Sequence, residues 1–186
     1  MKQAIVLGAV VAAVAGAAMS VASGQDGGAA PIYGVKLPDG YRDWPMVSIA
    51  SVGAPQNDLR AKLANAIAMK AFRDGTRPFP DGSIIVRLAY RQATSELNNK
   101  VFRAAGEKQG VPTAVIEKML ASSFVAGAPT NVQVMVKDSK KYASSGGWGF
   151  GEFTAGKPDG EAVHKTCFVC HAPGKDQDFV FTQYAP

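Results

Sequence analysis

Apolar and polar positions alternate most clearly from Ser83 to Tyr90: Ile84, Val86, Leu88 and Tyr90 fall on one side, and Ile85, Arg87 and Ala89 on the other. A period of two places alternate side chains on opposite faces of a strand, so this stretch predicts a strand fed by the turn Phe79-Pro80-Asp81-Gly82. Val132, Val134 and Val136 alternate with Gln133, Met135 and Lys137 and predict a second. Shorter candidates are Val47 to Ser51 after Pro45, Trp148 to Phe153 after Gly146-Gly147, and Phe179 to Gln183. Leu59, Leu63, Ala66, Ile67 and Lys70 recur at helical spacing, which predicts a helix from Asn57 or Asp58 to about Arg73, stopped by Gly75. Residues 95–109 and 113–122 predict two short helices around the Gly110-Val111-Pro112 break, and Asp138 caps one helical turn through Tyr142. Long crossover helices do not separate these strands. The expected fold is therefore α+β, a predominantly antiparallel β-sheet with a few helices.

The first residues follow another pattern. Lys2 precedes an apolar, small-residue run from Ala4 to Met19, and the next charge is Asp26. That run is short for a bilayer span and ends in Ser20-Val21-Ala22-Ser23-Gly24, suited to signal peptidase, so residues 1–24 are expected to be a cleaved export signal, with a retained membrane anchor as the alternative. Residues 25–40, rich in Gly, Ala and Pro and without a period, are expected to form a flexible leader, and residues 41–186 the functional domain. The mature protein is expected to be periplasmic, with no stable membrane insertion after cleavage. The 186 residues, 47% apolar and 19% charged, suffice to bury one core. The net charge of +5 comes without any block of lysines or arginines, so nucleic acid is not an expected partner.

Cysteine usage changes the picture most. Both cysteines and one of the two histidines fall in Cys167-Phe168-Val169-Cys170-His171, the attachment signature of haem c. Two thiols at this spacing form thioethers to the haem vinyl groups, and the adjacent histidine is placed to ligate the iron from the proximal side. A redox disulfide would want a thioredoxin-like βαβ setting, and a structural zinc site four ligands; the pattern offers neither. Residues 172–186 contain no Met or His, so a sixth ligand would come from upstream: His164, Met46, Met69, Met119 or Met135. Without one, the iron has an open distal side on which small molecules bind; with one, the protein is a six-coordinate electron carrier.

Three groups of residues carry a family resemblance. They are Tyr41-Arg42-Asp43-Trp44 with Phe79-Pro80-Asp81-Gly82, Val134 to Tyr142 leading into Gly147-Trp148-Gly149-Phe150, and Cys167 to His171 followed by Val180-Phe181-Thr182-Gln183-Tyr184. Together they resemble the cytochrome P-460 family, which includes the β-sheet cytochromes c′ (cytochrome c′-β); a helical insert around 103–122 departs from the pattern. The resemblance implies one covalent haem c with a five-coordinate iron, usually in a homodimer. Some members oxidise hydroxylamine and pass electrons to an external acceptor; they carry a lysine cross-link to the haem. The c′-β members bind nitric oxide and carbon monoxide beneath an apolar cap. Whether this chain is an enzyme is left open by the sequence.

Arg87 matches the cross-linking lysine, and a guanidinium stays protonated and does not readily make that bond. It would instead steady bound anions, or pair with a haem propionate. Lys70 or Lys100 would cross-link only in a shifted register. Phe79 matches the turn that supplies the distal cap, with an ordinary core phenylalanine as the alternative. Glu161, shortly before Cys167, is a candidate proton-moving carboxylate, against a solvated loop glutamate. The basic surplus suits a periplasmic electron-transfer partner with an acidic face.

Overall fold

The computed structural model describes residues 28–186, so the expected export signal lies outside the described residues. Six strands form one sheet: β1 (Met46–Val52), β2 (Asp58–Ala64), β3 (Ile84–Ala93), β4 (Val125–Lys137), β5 (Trp148–Thr154) and β6 (Lys157–Pro158). They lie in sequence order, each antiparallel to the next. Four helices accompany them: α1 (Ala66–Asp74), α2 (Glu96–Lys108), α3 (Thr113–Ala121) and α4 (Glu161–His171). This is the α+β architecture expected from the alternation of apolar residues. The α2–α3 pair, which spans the segment around 103–122, is a helical hairpin between β3 and β4 whose first helix buries no residue.

The helix expected over 57–73 is in fact a strand followed by a helix. Leu59 and Leu63 suit a helical face, but Leu59, Ala61 and Leu63 also alternate with Arg60 and Lys62, and pairing with both β1 and β3 decides for the strand. The true cap is Asn65. Its Oδ1 accepts from the Ala68 and Ile84 N–H groups (3.0 and 3.1 Å), and its amide donates to the Gly82 carbonyl, so one side chain starts α1 and fixes the entry to β3. Gly75 ends the helix at φ 66° as expected.

The expected strand over 179–183 does not form. Asp178 (φ 51°) and Phe179 (φ 63°) are both left-handed, a conformation foreign to a ladder. The described part of the expected leader, residues 28–40, is not slack either. Ala30 N–H donates to the Val35 carbonyl at 2.7 Å, both residues are buried, and the Tyr142 hydroxyl donates to the Tyr33 carbonyl. Its Pro31 and Gly34 shape a fixed turn that covers the sheet.

The two sheet faces differ. One carries Leu63, Val86, Leu88, Val134 and Phe153 against Ala30, Val35 and Tyr142. Gly149 makes that contact possible, because a Cβ there would lie 2.3 Å from the Tyr142 ring. The other face meets α1 around Phe72, Phe79, Trp148 and Phe150, and α4 lies along β5.

Candidate functional site

Helix α4 presents the chemistry. Cys167, Cys170 and His171 stand at i, i+3 and i+4, which puts them on one helical face, and all three border a single cavity of about 330 Å³. The two cysteines are not joined to each other. Burial pushes the Cys167 thiol up to about 11. His171 Nδ1 lies 2.7 Å from the Phe179 carbonyl. Since a carbonyl only accepts, Nδ1 carries the proton and Nε2 keeps its lone pair for a metal. Burial, partly offset by that hydrogen bond, lowers the His171 pKa and favours the neutral, ligating form.

The sheet supplies the opposite wall, and its register explains which residues meet. Lys62 pairs with Arg87, Arg87 with Gln133, and Gln133 with Glu152, a polar row across four strands. The adjacent row, Ala64, Ile85, Met135 and Phe150, is apolar. Apart from Ala64, every residue of both rows lines the cavity. Arg87 donates to Asn131 Oδ1 at 2.8 Å; Asn131 and Gln133 donate to the two Glu152 carboxylate oxygens at 2.7 and 2.6 Å. Burial and then Arg60 lower the Arg87 pKa. Burial, Arg60 and Arg87 lower that of Lys62.

These residues fit a covalent haem. The two thiols sit at thioether spacing, the histidine offers Nε2, and the Arg87 Nε is buried without a partner, a spare donor for a carboxylate such as a propionate.

The model of the Cytochrome P460 family matches residues 38–182. The chain belongs to that family. Membership brings a haem cofactor with it and makes this a cytochrome. No curated protein matches the chain. Among the described residues, no helix is long and apolar enough to cross a membrane.

Within this P460 domain the other expected site residues separate. Arg87 lines the cavity, as do Cys167, Cys170 and His171. Phe79 does not cap it. It is 2% exposed in the core, edge-on to Phe72 and Trp148, because its N–H is tied to Asp178 and the Arg77 guanidinium covers its outer face. Glu161 is also away from the cavity, on the exposed side of the first turn of α4 in an ion pair with Lys165. Glu152 is the carboxylate that faces the cavity. The sequence conceals it, since only the register with Gln133 and Arg87 aligns it with the site.

His164, a candidate sixth ligand, lies in α4 two turns before His171 and is fully buried. Its Nε2 accepts from Glu152 N–H at 3.0 Å and its Nδ1 faces the Gly160 carbonyl at 3.1 Å. Both ring nitrogens are engaged, so His164 is a clamp and offers nothing to a metal. Met69 is in the core, Met46 and Met119 are about half exposed, and Met135 alone of the four lines the cavity. Lys70 pairs with Asp74 on the surface, and neither Lys70 nor Lys100 reaches the cavity. Lys62 does, an amine that the sequence reading passed over inside its supposed helix.

Proposed function

We propose that this protein is an exported mono-haem c cytochrome of the c′-β kind, whose open distal iron position binds nitric oxide, carbon monoxide or a small nitrogen oxide. The observation that carries this reading is His164: with both nitrogens held by backbone groups, no second imidazole is free to close the iron. Cys167 and Cys170 hold the haem covalently and His171 is the proximal ligand. The haem supplies a metal centre able to bind diatomic gases and exchange an electron. The chain's own residues do the rest. Ile85, Met135 and Phe150 give an apolar wall that favours small, weakly polar ligands, and Arg87 with Lys62 offers positive charge to an anionic group. A homodimer and a periplasmic electron partner belong to the same reading.

Mixing the ferrous protein with nitric oxide tests it. A new nitrosyl paramagnetic signal at near-equal gas is expected, whereas an unchanged spectrum under excess gas contradicts the proposal.

A second reading, hydroxylamine oxidation, is favoured by Glu152, a carboxylate at the cavity that accepts two amide hydrogen bonds and is placed to take a proton. Lys62 is the amine available there for a cross-link, since Arg87 is unsuited. Turnover of hydroxylamine with an artificial acceptor, and a haem peptide that also carries the Lys62 segment, would select this reading over gas binding.

A further inference from the structure

The helix, the sheet and the C-terminal segment meet at Asp178. Its carboxylate accepts from Lys137 Nζ at 2.6 Å and from Phe79 N–H at 2.8 Å, and its carbonyl accepts from the Trp148 indole at 2.8 Å. Three separate places in the fold thus hold one residue: the turn before β3, the last residue of β4 and the first of β5. The ion pair is buried on both sides, with side chains 6% and 8% exposed, and Lys137 also donates to the Gly146 carbonyl and lies over the Trp148 ring.

Stability alone gives no reason for such a pair. Two charges removed from water are often matched or bettered by apolar side chains of similar volume. The backbone beside it is also costly, because Asp178 and Phe179 are successive non-glycine residues in the left-handed region. This double turn presents the Phe179 carbonyl to His171 Nδ1 at 2.7 Å. Gly146 makes room for it, since a Cβ there would come within 2.1 Å of the Phe179 ring.

We propose that the buried Lys137–Asp178 pair is a positioning device for the iron's proximal ligand, holding the Phe179 carbonyl on His171 Nδ1–H and so setting how strongly the imidazole donates to the metal. A hydrogen bond at Nδ1 gives the ring anionic character and raises its basicity at Nε2. Slackening at residue 178 lengthens that bond, weakens the iron–imidazole bond and makes the ferric state less favoured. The inference rests on His171 being the proximal ligand.

The test uses haem-loaded protein: wild type, Asp178→Asn, and the double variant Lys137→Met with Asp178→Asn. The double variant leaves no lone buried ion, so it carries the test if the single variant does not fold. Val35→Ala, which trims the core on the opposite face of the sheet, is the control for lowered stability. The readouts are the ferrous iron–histidine stretching band and the midpoint potential. In both ion-pair variants the band should fall in frequency. The one-electron reduction equilibrium should shift toward the ferrous form by roughly threefold to tenfold, tenfold being about 59 mV. Val35→Ala should melt earlier and keep both values. Ion-pair variants with wild-type band and potential overturn the inference, as does an equal shift in Val35→Ala. A wild-type protein without any iron–histidine band overturns the ligand assignment and this inference together.

Discussion

The two ends of α4 show how one helix holds histidines for opposite purposes. His164 and His171 are two turns apart and therefore share a helical side. In the first half, His164 is sealed against β5, with one nitrogen accepting from Glu152 N–H and the other facing the Gly160 carbonyl. In the last turn, His171 packs between Phe150 and Phe181, makes its hydrogen bond through Nδ1 and borders the cavity with Nε2 unclaimed. The difference lies in what faces each ring. A strand with a backbone N–H to satisfy makes the first histidine structural; a cavity leaves the second one available. Residue type is the same, and backbone partners assign the role.

Removing each ring tests that contrast. His171→Ala should have the largest functional effect, abolishing the histidine-ligated spectrum of the ferrous protein while Cys167 and Cys170 still retain the haem. A wild-type spectrum in that variant would show that another group ligates the iron. His164→Ala should do the reverse. It leaves the Glu152 N–H buried without a partner and opens a void, which costs about 2–4 kcal/mol. Urea unfolding measures this loss, and the ferrous spectrum should keep its class; a change of spin state would make His164 a ligand.

The cavity-facing turn can be probed through its thiols as well. In haem-free protein, Cys167 has its pKa raised to about 11 by burial, so the reactive thiolate is scarce at neutral pH and grows about tenfold per pH unit until that value. Alkylation of Cys167 below pH 8.5 should be roughly tenfold to a hundredfold slower in the folded chain than in urea. Equal rates would mean that this turn is open to solvent.

The smallest effect is expected at the other end of α4. Glu161→Gln removes an exposed ion pair with Lys165 and should leave melting and gas binding unchanged, because surface pairs contribute little. A loss of hydroxylamine turnover in this variant would return Glu161 to the mechanism.

Legibility in the sequence followed distance along the chain. Cys167 to His171 could be read because thioether attachment needs those residues locally, and Ser83 to Tyr90 because a half-buried strand writes its period into adjacent positions. Leu59 and Leu63 fitted either period, and only the neighbouring strands resolved them. Glu152 and Lys62 could not be found without the register that aligns them with Arg87 across four strands. The role of His164 depended on a strand N–H twelve residues away. Phe79, whose turn was read correctly, went to the core because Asp178, at the far end of the chain, holds its backbone.

The central claim is that the iron's distal side is open, and the absorption spectrum of the ferrous protein before and after carbon monoxide tests it most directly. A high-spin band that shifts when the gas is added is the predicted result. A sharp low-spin spectrum indifferent to the gas would contradict it, and would put Met135, the thioether at the cavity, on the iron of an electron carrier.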